Sequence, residues 1–147
     1  MKSTFALAAL TSTLSAIRLE ATTTNNNDDV FVPTTDSNTF VLFSETGFET
    51  VIYTVHSEHK DWLDAQSTCQ SEGGELVSIH NQAEAELVRK LADKSGSGTF
   101  LIGLNDRDNE GSFVWSDGTP VDYTNWWQNE PNNHGAGEDC AHMGFGD

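Results

Sequence analysis

The amino-acid sequence predicts a mixed α+β domain built from two helices and small antiparallel β-sheets. Three observations carry that expectation. Val51-Ile52-Tyr53-Thr54-Val55 has the β-branched and aromatic content of a strand; two later segments have apolar residues at helical spacing and end at glycines; and Phe100-Leu101-Ile102-Gly103-Leu104 is an uninterrupted apolar run typical of a buried strand. Beyond Leu104 short apolar pieces alternate with loops rich in Asn, Asp, Gly and Pro.

In chain order, residues 1–20 read as a secretory leader: Met1-Lys2 is a short basic start, and the run from Phe5 to Ile17 is a modest apolar middle. That run is too short to cross a bilayer, and no later segment is a candidate for membrane insertion. Residues 21–39, which include Asn25-Asn26-Asn27-Asp28-Asp29, hold too little apolar surface to offset the entropy of ordering and read as a polar low-complexity linker. The domain then occupies residues 40–147, long enough for one core. Its strand at Val51–Val55 precedes a polar turn at Ser57 to Asp61. Trp62, Ala65 and Cys69 lie on one face of a first helix, with Asp64, Gln66 and Gln70 elsewhere around it, and Gly73-Gly74 ends it. Leu76, Val77 and Ile79 form an apolar connector. Asn81 followed by Glu84 is a capping-box variant that opens a second helix, with a stripe of Ala83, Leu87, Val88 and Leu91, and Ser95-Gly96-Ser97-Gly98 stops it.

Seven basic and twenty-three acidic residues give a formal charge of −16, which repels phosphate backbones and anionic lipid, so no nucleic-acid partner is expected. Residues 101–147 hold nine carboxylates against one base, Arg107. Carboxylates crowded in this way destabilise a folded domain unless cations or hydrogen bonds compensate, so Ca2+ is suggested by charge alone. A secreted chain meets an oxidising environment, where Cys69 and Cys140 are expected in disulfides.

The most informative local pattern is Glu130-Pro131-Asn132, followed after a Gly-containing loop by Glu138-Asp139-Cys140. Calcium takes six to eight oxygens, and this loop offers several within nine residues. A cis bond at Pro131 would let Glu130 and Asn132 share one ion. Asp106-x-Asp108-x-Glu110-Gly111, with Asp117 at the twelfth place, mimics an EF-hand loop, but Gly96, Gly98 and Gly103 make an entering helix poor. His134, Cys140 and His142 fit no tetrahedral zinc spacing. No nucleophilic triad or phosphate loop is present and no carboxylate pair stands out, so the chain is not expected to be an enzyme.

Taken in order, Trp62-x-x-Ala65-x-x-x-Cys69, Gly74-x-Leu76-x-x-Ile79, Glu84, Leu101-Ile102-Gly103-Leu104, Trp115-x-Asp117-Gly118, Tyr123-x-Asn125-Trp126 and Glu130-Pro131-Asn132 make a series that resembles the carbohydrate-recognition domain of C-type lectins, of the mannose-type subclass. The resemblance implies that Glu130, Asn132 and Glu138 ligate the sugar-binding calcium, and that mannose, N-acetylglucosamine or fucose, on glycans or glycoproteins, is the ligand. It also implies an auxiliary calcium site at Asp106, Glu110, Asn133 and Asp139 with Glu138 shared; Asn133 brings no charge where many relatives have an aspartate, which weakens that site. It makes Trp126 a core residue and leaves Trp127 unassigned. The family pattern continues past Cys140 with a strand, a Trp-Asn-Asp triplet and two cysteines. By resemblance Cys69 and Cys140 belong to two different bridges, and the chain as it stands is expected to lack its last strands and to bind calcium weakly and sugar not measurably. The implied function is calcium-dependent carbohydrate binding in glycan recognition or adhesion by a secreted protein; the alternative is a lectin-like protein-interaction or scaffold domain that binds no sugar.

Overall fold

A computed structural model describes residues 4–8, 13–19, 32–33, 39–43, 50–56, 58–95, 99–135 and 137–144, with side chains placed at 51–56, 58–93, 99–135 and 137–144. The strands are β1 (Thr4–Ala8), β2 (Thr13–Leu19), β3 (Val32–Pro33), β4 (Thr39–Phe43), β5 (Thr50–His56), β6 (Glu75–Leu76), β7 (Thr99–Asn105), β8 (Val114–Trp115) and β9 (Cys140–Gly144), and the helices are α1 (Trp62–Ser71) and α2 (Gln82–Ser95).

All described strand pairs are antiparallel, and they join in one sheet of order β3-β4-β5-β2-β1-β7-β8, with β6 also on β2 and β9 also on β7. The α+β class is as expected, whereas several small sheets were expected and one is observed. The join is made by the segment expected as a leader: β2 pairs with β5, and β1 meets β7 at Ala8 opposite Leu101. An apolar run carries the same periodic signal whether it is a leader or a strand, which is why composition did not foresee this pairing. Most of the expected linker lies outside the described residues, but Val32–Pro33 within it pairs with Phe40–Val41 at the edge of the sheet, a position at which proline is tolerated. The strand thought to be missing after Cys140 is present as β9.

Helix boundaries follow from local chemistry. The Asp61 carboxylate caps α1 by accepting from the Asp64 N–H at 2.9 Å. At the other end Gly73, at φ +85°, places its N–H on Gln70 O (3.0 Å) and brings the Gly74 N–H to Cys69 O (2.7 Å), the paired bonds of a Schellman ending. At α2 the Asn81 side chain accepts from the Glu84 N–H (2.9 Å) while the Glu84 carboxylate accepts from the Asn81 side-chain amide (2.8 Å) and the His80 N–H (2.7 Å). The helix faces differ in detail from expectation. Ala83 is exposed, and the stripe is carried instead by Val88, Leu91 and Ala92 with Leu87 partly buried. Gln66 is buried because its side-chain oxygen takes the Leu76 N–H at 3.1 Å, while its amide nitrogen donates to Glu75.

The core has two parts divided by β7. Phe100, Ile102 and Leu104 enter a cluster with Val88, Leu91 and Ala92 of α2, Tyr53 and Val55 of β5, and Val77, Ile79, Trp115 and Ala141. Leu101 joins Ala65 and Cys69 of α1 and Leu76. With side chains alternating across the pleat, β7 is buried on both faces, which explains its uninterrupted apolar sequence. Gly103 is the one gap in that run. A Cβ there would lie 2.7 Å from Leu76 O and 2.7 Å from Ser116 Oγ, so only glycine lets the 76–77 segment cross so closely that the Gly103 N–H reaches Val77 O at 2.9 Å.

Candidate functional site

The candidate residues lie on the turn after β7 and on the long loop between β8 and β9. The loop is fastened at several points. Asp117 accepts from Ser78 Oγ (2.7 Å), Thr119 N (2.9 Å) and Thr119 Oγ1 (2.6 Å). Asp122 pairs with His80 Nδ1 at 2.7 Å, and this hydrogen bond holds the Asp122 carboxyl below its usual range. Tyr123 OH donates to Gln82 Oε1 at 2.6 Å. Trp126 packs against Phe113 with ring centroids 4.9 Å apart, partly buried against the main core as expected. Together these contacts tie the loop to the N-terminus of α2 and to the edge of β8. The tie between His80 and Asp122 was not anticipated: the two residues stand 42 positions apart, and no local pattern joins them.

Beyond Trp126 the chain turns, with Glu130 N–H on Trp127 O at 3.0 Å and Asn129 at φ 68°. The Glu130–Pro131 peptide bond is cis. Glu130 and Asn132 lie on the same side of it: one Glu130 oxygen accepts from Asn132 Nδ2 (2.6 Å) and the other from the Asn132 N–H (3.1 Å). Asn133 Oδ1 accepts from the Glu138 N–H (2.9 Å), and a Glu138 oxygen accepts from the His134 N–H (2.9 Å), closing the second half of the loop on itself. Glu130, Asn132, Asn133, Glu138 and Asp139 are all exposed.

Across from this loop, Asp106 is 4% exposed; its Oδ2 takes the Gly111 N–H at 2.8 Å, whereas Oδ1 is buried without a hydrogen-bond partner. A carboxylate oxygen buried in this way is costly unless a cation or donor meets it. The Asp106 N–H bonds Asp139 O at 3.0 Å, so the β7 turn and the start of β9 are adjoined. A Cβ on Gly137 would stand 3.2 Å from Asp139 Oδ1 and 3.7 Å from Asn133 Oδ1, so two candidate oxygens face the space that glycine leaves open. Glu110 is exposed on the turn beyond Asp106. These features suit a hard, oxygen-seeking cation. Among the described residues, however, no three His, Cys, Asp or Glu side chains are gathered as one metal-holding group. The EF-hand likeness at Asp106–Asp117 fails on structure, because a strand rather than a helix enters the loop.

Cys69 and Cys140 are both free thiols and are not joined to each other. Among the described residues no helix is long and apolar enough to cross a membrane.

Comparison with known proteins matches residues 58–147 to the family model of the Lectin C-type domain. The chain is 45% identical over 96 residues to the low affinity immunoglobulin epsilon Fc receptor of Mus musculus, covering 65% of this chain and 28% of that protein. It is 38% identical over 95 residues to the galactose-specific lectin nattectin of Thalassophryne nattereri, covering 63% of this chain and 60% of nattectin. Among solved structures, the cow C-type carbohydrate-recognition domain of CD23, determined in the presence of a GlcNAc2Man3 oligosaccharide, aligns with a TM-score of 0.53 at 43% identity, over 57% of this chain and 63% of that one. Two helices, an antiparallel sheet and a long fastened loop agree with the C-type lectin fold, and the chain belongs to the C-type lectin family. It spans less than two thirds of each of these relatives.

Proposed function

We propose that this domain binds neutral, mannose-type glycans through calcium and performs no reaction. The observation that carries the reading is the shared side of Glu130 and Asn132 on an exposed loop with Glu138 five residues on from Asn133. Glu130, Asn132 and Glu138 would hold the principal ion, and Asp106, Glu110, Asn133 and Asp139 the auxiliary one; the buried, unpartnered Asp106 oxygen and the open space at Gly137 support the second assignment. Calcium bound there supplies a point of attachment for two vicinal hydroxyls. The residues supply orientation: Glu130 can only accept hydrogen bonds and Asn132 Nδ2 can only donate, so a hydroxyl pair fits in one sense. Vicinal equatorial hydroxyls, the 3- and 4-hydroxyls of mannose and N-acetylglucosamine or the 2- and 3-hydroxyls of fucose, are the corresponding ligand. Overall identity does not decide the sugar, since one relative is named galactose-specific; the Glu-Pro-Asn sequence is what favours mannose here. A secretory leader at residues 1–20 and an extracellular location belong to the same proposal; cleavage there would remove β1 and β2 from the sheet.

The test is chromatography of the full-length protein on immobilised mannose. Retention in calcium and release by a chelator are expected, and retention indifferent to chelator would sink the reading. The alternative is a lectin-like domain that contacts protein without sugar. Chelator-resistant binding to a deglycosylated protein would favour it.

A further inference from the structure

We propose that Trp127 is the wall of an extended subsite beside the principal sugar position, taking the apolar C–H face of a pyranose linked to the coordinated one. This rests on the proposed glycan binding and adds to it. Trp127 is 59% exposed, more than any other exposed large apolar side chain among the described residues. A lone exposed apolar residue is ordinary, so its position has to carry the argument. Its carbonyl accepts the Glu130 N–H at 3.0 Å, which makes Trp127 the first residue of the turn that ends on Glu130. The Cα atoms at the two ends of such a turn lie within about 7 Å of each other. Trp127 and Glu130 are therefore the two ends of one hydrogen-bonded turn. The residue before it, Trp126, packs against Phe113 on the core side, while Trp127 itself stands exposed.

Glycan sites combine a few directing polar groups with aromatic surface, and tryptophan provides large contact area at small entropic cost. Glu130 and Asn132 are the directing groups; Trp127 is the only Trp, Tyr or Phe on the stretch from Trp127 to Asp139. The acidic surroundings, nine carboxylates against one base in residues 101–147, disfavour an anionic extension, so the occupant is a neutral sugar.

The experiment measures, in the full-length protein with calcium, affinities for mannose and for the 1→2, 1→3 and 1→6 α-linked mannobioses, in the native protein and in Trp127→Ala and Trp127→Phe. Stacking of this kind is worth roughly three- to tenfold in affinity. The native protein should bind at least one mannobiose tighter than mannose by about that factor. Trp127→Ala should lose that preference while keeping its mannose affinity, and Trp127→Phe should recover most of it. No preference among the sugars, an unchanged preference in Trp127→Ala, or an equal loss for mannose and mannobiose would each overturn the subsite while leaving the glycan reading in place. Failure of the native protein to bind mannose in calcium would remove the glycan reading, and the subsite with it.

Discussion

The polarity of a single hydrogen-bonding pair decides which sugar fits. Asn132 Nδ2 lies on Glu130 Oε1 at 2.6 Å, so donor and acceptor stand side by side with a fixed sense. Exchanging them by Glu130→Gln together with Asn132→Asp should leave a mannose hydroxyl pair facing the wrong partners, at about 1–3 kcal/mol or roughly 5- to 150-fold in affinity. Competition on a glycan resin should then favour galactose, and a double variant that still prefers mannose would refute the orientation argument. Cys69 offers a second test. Burial in the α1 cluster, with Glu72 and Glu75 nearby, pushes its thiol from the usual 9.0 up to about 12, and burial, together with the charges of Asp139, Asp106 and Asp61 and against that of Arg107, pushes Cys140 up to about 11. The folded state favours the neutral thiol, so its contribution to stability is complete below pH 9 and is lost as pH rises from about 9 toward 12. At pH 8 the reduced, folded protein should react with iodoacetamide far more slowly at Cys69 than the same protein in denaturant. Equal rates would show that Cys69 is not buried.

At the scale of elements, helix ends were legible and helix faces less so. The Asn81–Glu84 pair is a local device whose bonds lie within four residues, so the sequence alone discloses it. Asn81→Ala should cost about 1 kcal/mol, read as a lower denaturant midpoint at unchanged slope. Glu84→Ala should cost a similar amount, since it frees the His80 N–H and the Asn81 amide together. No change in midpoint for either variant would mean that the cap is redundant with packing. Ala83 and Gln66 were misplaced for a different reason. Which face of a helix is buried depends on what it meets: α2 turns Ala92 rather than Ala83 to the core, and Leu76 supplies an N–H that makes burial of Gln66 possible.

For the whole molecule, the acidic loop and the turn after β7 are brought together by the Asp106–Asp139 backbone bond and by the fastening of the loop to α2. If calcium binds there, it stabilises the folded state by mass action. At 10 mM calcium, a dissociation constant of roughly 10⁻⁴–10⁻³ M corresponds to about 1.4–2.7 kcal/mol. In a domain of this size that is an increase in Tm of roughly 5–20 °C. Differential scanning of the full-length protein should show the increase with calcium and its reversal by chelator. Asp106→Asn should reduce the increase, because an amide brings no charge to the buried position. A Tm indifferent to calcium would contradict the assignment of both sites.

The sequence by itself determined the α+β class, the strands at β5 and β7, the ends of both helices and the order of motifs that marks a C-type lectin domain. These depend on periodicity, on caps and on glycine positions, which act over a few residues. Tertiary structure decided what those residues meet. It joined the β1–β2 segment to the sheet, placed Gly103 where the 76–77 segment passes, and set His80 on Asp122 across 42 residues. It also left Asp106 Oδ1 without a partner inside the fold. Such contacts have no period and no fixed spacing, because they arise only when packing brings distant parts of the chain within a few ångströms of each other.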